Sequence, residues 1–154
     1  MSDDIHDVII IGGSYAGQSA ALQLARARRK VLIIDEGRRR NRFARRSHGF
    51  LTQDGVDPAA IAAAACAQVM AYPTVQWISA RADSARRIES SGSAGGNFEV
   101  AVGEERHTSR RLLLATGVKD ILPEIAGLEQ RWGKSVFHCP YCHGYELNQG
   151  RIGV

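Results

Sequence analysis

Aromatic residues are scarce in this chain: 4 Phe, 4 Tyr and 2 Trp among 154 residues. Large rings therefore cannot fill its interior. With a hydrophobic fraction of 44% and 16 glycines, the composition fits a globular core of aliphatic side chains with helices packed closely on a sheet. Cysteine is scarcer still, at 3. That excludes a framework of structural disulfides and fits a reducing compartment, so a cytoplasmic location is expected. No run of about 18 apolar residues occurs, which excludes an apolar membrane-spanning helix, and no membrane partner is expected. The opening Met1-Ser2-Asp3-Asp4 is acidic and leads straight into an apolar strand, unlike a secretory signal. No internal repeat is present, and the length suits one domain of ordinary size.

The net charge of +4 comes mostly from Arg38, Arg39, Arg40, Arg42, Arg45 and Arg46. A basic run invites a nucleic-acid reading. No aromatic stacking residues or nucleic-acid motif accompany it, so it reads as a solvated loop, touching at most a cofactor phosphate.

The pattern along the chain is that of an α/β protein. Residues 7–11 form a short continuous apolar strand of the kind buried on both faces of a parallel sheet. A tight turn at 12–17 leads to a helix at 18–29, then a second buried strand at 31–34, completing one βαβ unit. Residues 37–57 are irregular. An Ala-rich helix is expected over 58–71, with Asp57 as N-cap and Pro58 in its first turn. Cys66 within it reads as a small buried hydrophobe. Strands at 74–78, 82–88 and 97–102 read as a β-meander, with a hairpin loop over the Ser/Gly-rich residues 90–96. Another strand is expected at 111–115, a connector at 123–133, and the beginning of a strand at 151–154.

Three motifs carry chemistry. Gly12-Gly13-Ser14-Tyr15-Ala16-Gly17 sits between a strand and a helix, where a dinucleotide needs glycines. Gly12 permits the tight turn, and Gly17 lets helix and strand approach. Ser14 takes the place of the middle glycine. The helix N-terminus offers N–H groups and a partial positive charge to a pyrophosphate. Asp35, eighteen residues after Gly17, is placed to accept hydrogen bonds from ribose hydroxyls, with Glu36 beside it. A purely structural turn is the alternative. The second motif, Ala115-Thr116-Gly117, ends an apolar strand in small residues, which suits either a close backbone–cofactor approach or a plain turn.

The third is Cys139-Pro140-Tyr141-Cys142. Two thiols at this spacing can close into a disulfide and open again. A glutaredoxin carries the same four residues near its start, whereas only 12 residues follow Cys142 here. His138 and His143 flank the pair and can supply a cation or shuttle a proton. A redox pair is the favoured reading, with a static disulfide or half of a zinc site as alternatives. Zinc would want a second Cys/His pair, and Cys66 is the one cysteine left, so no metal is expected.

Together these motifs resemble low-molecular-weight thioredoxin reductases and their relatives, over essentially the whole chain. The resemblance implies a Rossmann-like FAD-binding parallel sheet with helices and a β-meander, then the start of a second, NAD(P)-binding domain. It implies domains at 1–118 (first segment of the FAD-binding domain) and 119–154 (connector and start of the NAD(P)H-binding domain, carrying the dithiol). FAD would meet Gly12, Gly13, Ser14, Ala16, Gly17, Asp35, Glu36, Ala115, Thr116 and Gly117. Cys142 would be the flavin-proximal thiol and Cys139 the one that exchanges with substrate. Electrons would run from NADPH through FAD and the dithiol to a thioredoxin-like protein or small disulfide, in a homodimer. The family usually has Asp after the second cysteine as proton donor and acceptor. Here His143 stands there, and Cys142-His143-Gly144-Tyr145-Glu146 resembles the gliotoxin- and holomycin-type dithiol oxidases, which pass electrons to oxygen. A flavin-binding redox-sensing module without catalysis is a further alternative. Family members run much longer and carry a second glycine fingerprint, so NADPH would be bound outside this chain, which reads as the N-terminal portion of a longer protein.

Overall fold

A computed structural model describes residues 5–89 and 97–153. The expected hairpin loop at 90–96 lies outside the described residues. The chain forms two compact units. One takes the chain up to Arg39 together with Ala62–Gly117; the other takes Arg40–Ile61 and the chain from Val118 onward.

The first unit is a mixed six-stranded sheet with helices, a Rossmann-like fold. Its strands are β1 (His6–Ile11), β2 (Val31–Ile34), β3 (Val75–Ile78), β4 (Ser84–Ile88), β5 (Asn97–Val102) and β6 (Glu105–Leu114), in the spatial order β3-β2-β1-β6-β5-β4. β1 pairs in parallel with both β2 and β6, and β2 in parallel with β3. Its helices are α1 (Tyr15–Arg26) and, from Ala62 onward, α2 (Pro58–Met70). Alternate side chains of the inner strands serve opposite faces. Val8, Ile10, Val31 and Ile33 join Ala21 and Ala25 of α1 and Val69 of α2. Ile9, Leu32 and Ile34 join Val100 in a second cluster. This two-sided burial is why β1 and β2 are continuous apolar runs.

Three expectations shift. β3 is not part of the meander: it lies at the opposite edge, in parallel register with β2, Ile33 opposite Trp77. A short strand's pairing partner is set by tertiary packing, which its own residues do not encode. The meander is β4-β5-β6, paired antiparallel. Second, β6 begins at Glu105, not Arg111. Its polar first half pairs with β5 and its apolar second half with β1, and Ser109 registers with both Phe98 and His6. Third, α1 starts and ends three residues before the expected bounds, with Ser14 as N-cap and Ala27 as C-cap.

The second unit is short on regular structure. It holds the irregular stretch at 40–57, α3 (Leu128–Arg131), α4 (Pro140–His143) and a 3-10 turn at Tyr145–Leu147. Asp57 caps the start of α2 as expected, its Oδ1 accepting from the backbone N–H groups of Ala59 (2.6 Å) and Ala60 (3.3 Å). The strand expected to begin at 151 is not seen among the described residues: 151–153 are exposed and without regular structure. A strand exists only when a neighbour completes its hydrogen bonds.

Candidate functional site

The glycine-rich loop at 12–17 lies at the carboxyl ends of β1 and β2. Gly12 donates from its N–H to the Ile34 carbonyl (2.9 Å), and Ala115 donates to the Ile11 carbonyl (2.8 Å). Two motifs 98 residues apart therefore meet, as Gly12 to Gly17 and Ala115 to Gly117 stand side by side at the top of neighbouring strands. Gly12 has φ +103°, a conformation that disfavours side chains, and a Cβ there would strike the Ala115 carbonyl. A Cβ at Gly17 would overlap the Gly12 carbonyl. These two positions leave room for glycine alone, as a loop whose backbone a pyrophosphate approaches requires.

Ser14 is the N-cap of α1 in extended conformation, but its side chain makes no capping hydrogen bond, and the first turn holds no acidic residue. Its N–H groups thus keep their positive potential for an anion. Asp35 follows β2. Its backbone N–H donates to the Ile78 carbonyl (3.0 Å), and its Oδ2 accepts from Gly37 N–H (3.1 Å). It is half-buried, whereas Ala16, Glu36, Thr116 and Gly117 are exposed. Glycine cradle, uncapped helix terminus and carboxylate are the donor and acceptor set that a dinucleotide such as FAD requires.

The dithiol belongs to the second unit. Cys139 and Cys142 are joined by a disulfide, with Cα atoms 5.4 Å apart. Pro140 opens α4, which its fixed φ favours, and Cys139 is the N-cap. The Cys139 sulfur accepts a hydrogen bond from the Cys142 backbone N–H at 3.1 Å. Cys139 is half-buried and Cys142 exposed. Both flanking histidines lie on aromatic rings: His143 stacks on Phe137 with centroids 4.1 Å apart, and His138 on Trp132 at 5.7 Å. His143 Nδ1 is buried and without a hydrogen-bond partner among the described residues. Nothing in the sequence near Cys139 pointed to Phe137 and Trp132 as ring supports, because stacking is a tertiary relation.

The arginine-rich segment contributes order as well as charge. Arg40 grips Asp120 with two hydrogen bonds, Nε to Oδ2 (2.9 Å) and Nη2 to Oδ1 (2.6 Å). The Arg40 hydrogen bond holds the Asp120 carboxyl below its usual range, and Asp120 raises the guanidinium in return. Arg46 donates to the Gly55 carbonyl (3.1 Å), and Arg42 lies over the Phe43 ring. His48 faces Asp54 through Nδ1 (3.6 Å) and Glu146 through Nε2 (3.4 Å). The free Cys66 of α2 is half-buried, more open than its expected core role, although it lies within a turn of the buried Ala62 and Val69. Among the described residues no group of three or more His, Cys, Asp or Glu side chains is placed to hold a metal ion. Among them, too, no helix is long and apolar enough to cross a membrane.

Residues 6–153 match the family of pyridine nucleotide-disulphide oxidoreductases. The chain belongs to that family. Within it the chain is thioredoxin reductase-like. It is 36% identical to thioredoxin reductase tcpT of Claviceps purpurea, covering 99% of this chain and 47% of that protein. Against thioredoxin reductase sirT of Leptosphaeria maculans the identity is 35%, over 92% of this chain and 43% of the other. A solved oxidoreductase from Agrobacterium tumefaciens superposes with a TM-score of 0.86 at 59% identity, covering 94% of this chain and 48% of that one. The chain thus spans less than half the length of these oxidoreductases.

Proposed function

We propose that the chain supplies the FAD-binding site and the redox-active dithiol of a thioredoxin reductase-like, flavin-dependent disulfide oxidoreductase. The observation that carries this is the closed Cys139–Cys142 pair, sulfur-capped on a helix, in the same chain as the glycine cradle. In this reading residues 1–118 are the first segment of the FAD-binding domain, and residues 119–154 lead into an NAD(P)H-binding domain. Gly12, Gly13, Ser14, Ala16 and Gly17 hold the pyrophosphate, Asp35 and Glu36 face the ribose, and Ala115, Thr116 and Gly117 line the cofactor. FAD held by these residues would supply the electron pair that opens the disulfide, with NADPH bound outside this chain as its source.

The chain's own residues then act in sequence. The hydrogen bond from Cys142 N–H to the Cys139 sulfur favours a Cys139 thiolate. That thiolate attacks one sulfur of the substrate disulfide, and the other sulfur leaves as a thiol after taking up a proton. The Cys142 thiolate displaces the second substrate sulfur and closes Cys139–Cys142, so two electrons pass to the substrate. His143, with a buried unpartnered Nδ1 and a ring fixed on Phe137, holds and returns the Cys142 proton. The substrate is a thioredoxin-like protein or a small disulfide, met by a cytoplasmic homodimer.

One observation favours a second reading. An imidazole, His143, follows Cys142 where a carboxylate is usual in the family, which suits a small-molecule dithiol oxidase that delivers electrons to oxygen. The protein is expected to purify with a flavin spectrum, and Cys142→Ser to abolish disulfide turnover while the flavin stays bound. A colourless protein that turns over disulfides without either cysteine would sink the proposal. Oxygen consumption with a dithiol, and no NADPH-driven reduction of thioredoxin, would select the oxidase.

A further inference from the structure

The nucleotide loop carries a glycine that its fingerprint does not ask for. The spacing Gly-x-Gly-x-x-Gly constrains positions 12, 14 and 17 and leaves position 13 open. Gly12 needs its positive φ, and Gly17 its contact with the Gly12 carbonyl. Gly13 has no positive φ. It is nonetheless buried, and a Cβ there would strike Cη2 and Cζ2 of Trp77 and come within 2.9 Å of the Asp35 Cβ. The edge of the six-membered ring of Trp77 thus occupies the space that any side chain at position 13 would need.

Trp77 is placed by its strand and by the core. It is opposite Ile33 in the β2–β3 ladder and packs on the buried cluster of Val8, Ile10 and Ile33. The next residue, Ile78, accepts the backbone hydrogen bond of Asp35. One strand, β3, therefore sets both the height of Gly13, through the Trp77 ring, and the placement of Asp35, through the Ile78 carbonyl. We infer that Trp77 is a positioning residue of the nucleotide site, fixing the phosphate-binding loop against the ribose-facing carboxylate, and that Gly13 is glycine because Trp77 is there. This rests on the reading of the loop as an FAD site.

The test is Gly13→Ala in the protein as it stands and again in Trp77→Phe, which deletes Cζ2 and Cη2. Flavin affinity and apo-protein melting are measured for all four proteins. In the parent, Gly13→Ala is expected to weaken FAD binding about tenfold and to lower Tm by about 5 °C, as overpacking does. In the Trp77→Phe background the same change is expected to cost less than about twofold in affinity and less than about 2 °C. An equal loss of affinity in both backgrounds overturns the inference, because the methyl then acts on the phosphate or through the Asp35 Cβ and not through Trp77. A loss of Tm with unchanged FAD affinity overturns it too, leaving Trp77 a packing residue. If the parent protein binds no FAD, the functional reading fails; the melting data then separately retain or remove the Trp77–Gly13 contact.

Discussion

Single residues in this chain are constrained by contacts rather than by composition. Gly12 answers to a backbone conformation, Gly17 to a carbonyl and Gly13 to an indole, although all three read alike as letters. The ion pair of Arg40 and Asp120 shows the same dependence. The Asp120 pKa is lowered in the folded state, so its contribution to stability is present above the unfolded carboxyl pKa and is lost as pH falls through the lower, folded value. The protein is therefore expected to lose stability on acidification below the ordinary carboxylate range, and Arg40→Gln to lower Tm slightly at neutral pH and to converge with the parent in acid, which flattens that part of the Tm-against-pH curve. A curve of Arg40→Gln that parallels the parent's would mean that other carboxylates carry the acid sensitivity. Because Arg40 is exposed and Asp120 only half-buried, salt should shrink the effect as well.

Elements form where local pattern and tertiary contact agree. The apolar runs of β1 and β2 announce strands buried on both faces, and Asp57-Pro58 announces the start of α2. Asp57 closes two otherwise open N–H groups of that helix. Asp57→Ala is expected to cost about 1 kcal/mol, read as a lower midpoint in urea at unchanged slope, and Asp57→Asn to restore most of it. An alanine variant indistinguishable from the parent would place the start of the helix under tertiary control alone. Where pattern and contact diverge, the sequence misleads. β3 has four residues and no feature that says which edge it joins, so its place beside β2 emerges only in the folded sheet. β6 hides its polar first half because residues 105–110 include no apolar side chain, so no alternation is there to read.

At the scale of the molecule, the glycine cradle and the Cys139–Cys142 pair are built in two separately compact units. Because the cradle lies wholly in one unit and the cysteines in the other, the double variant Cys139→Ser/Cys142→Ser should keep FAD affinity within about twofold of the parent, well inside the tenfold that 1.4 kcal/mol represents. It should lose all exchange with external disulfides. Loss of flavin along with the thiols, followed by absorbance and dissociation constant, would show that the dithiol is part of the cofactor site. By itself the sequence determined the βαβ opening, the glycine turn with Asp35, the capped α2 and the Cys-x-x-Cys pair, because each is a local relation within a few turns or strands of chain. Only the tertiary structure decided that Ala115 meets Gly12, that β3 carries Trp77 to Gly13, and that Phe137 holds His143. The first and second are contacts across the sheet. The third lies close in the chain, but a ring stack depends on side-chain direction, and no spacing rule encodes that.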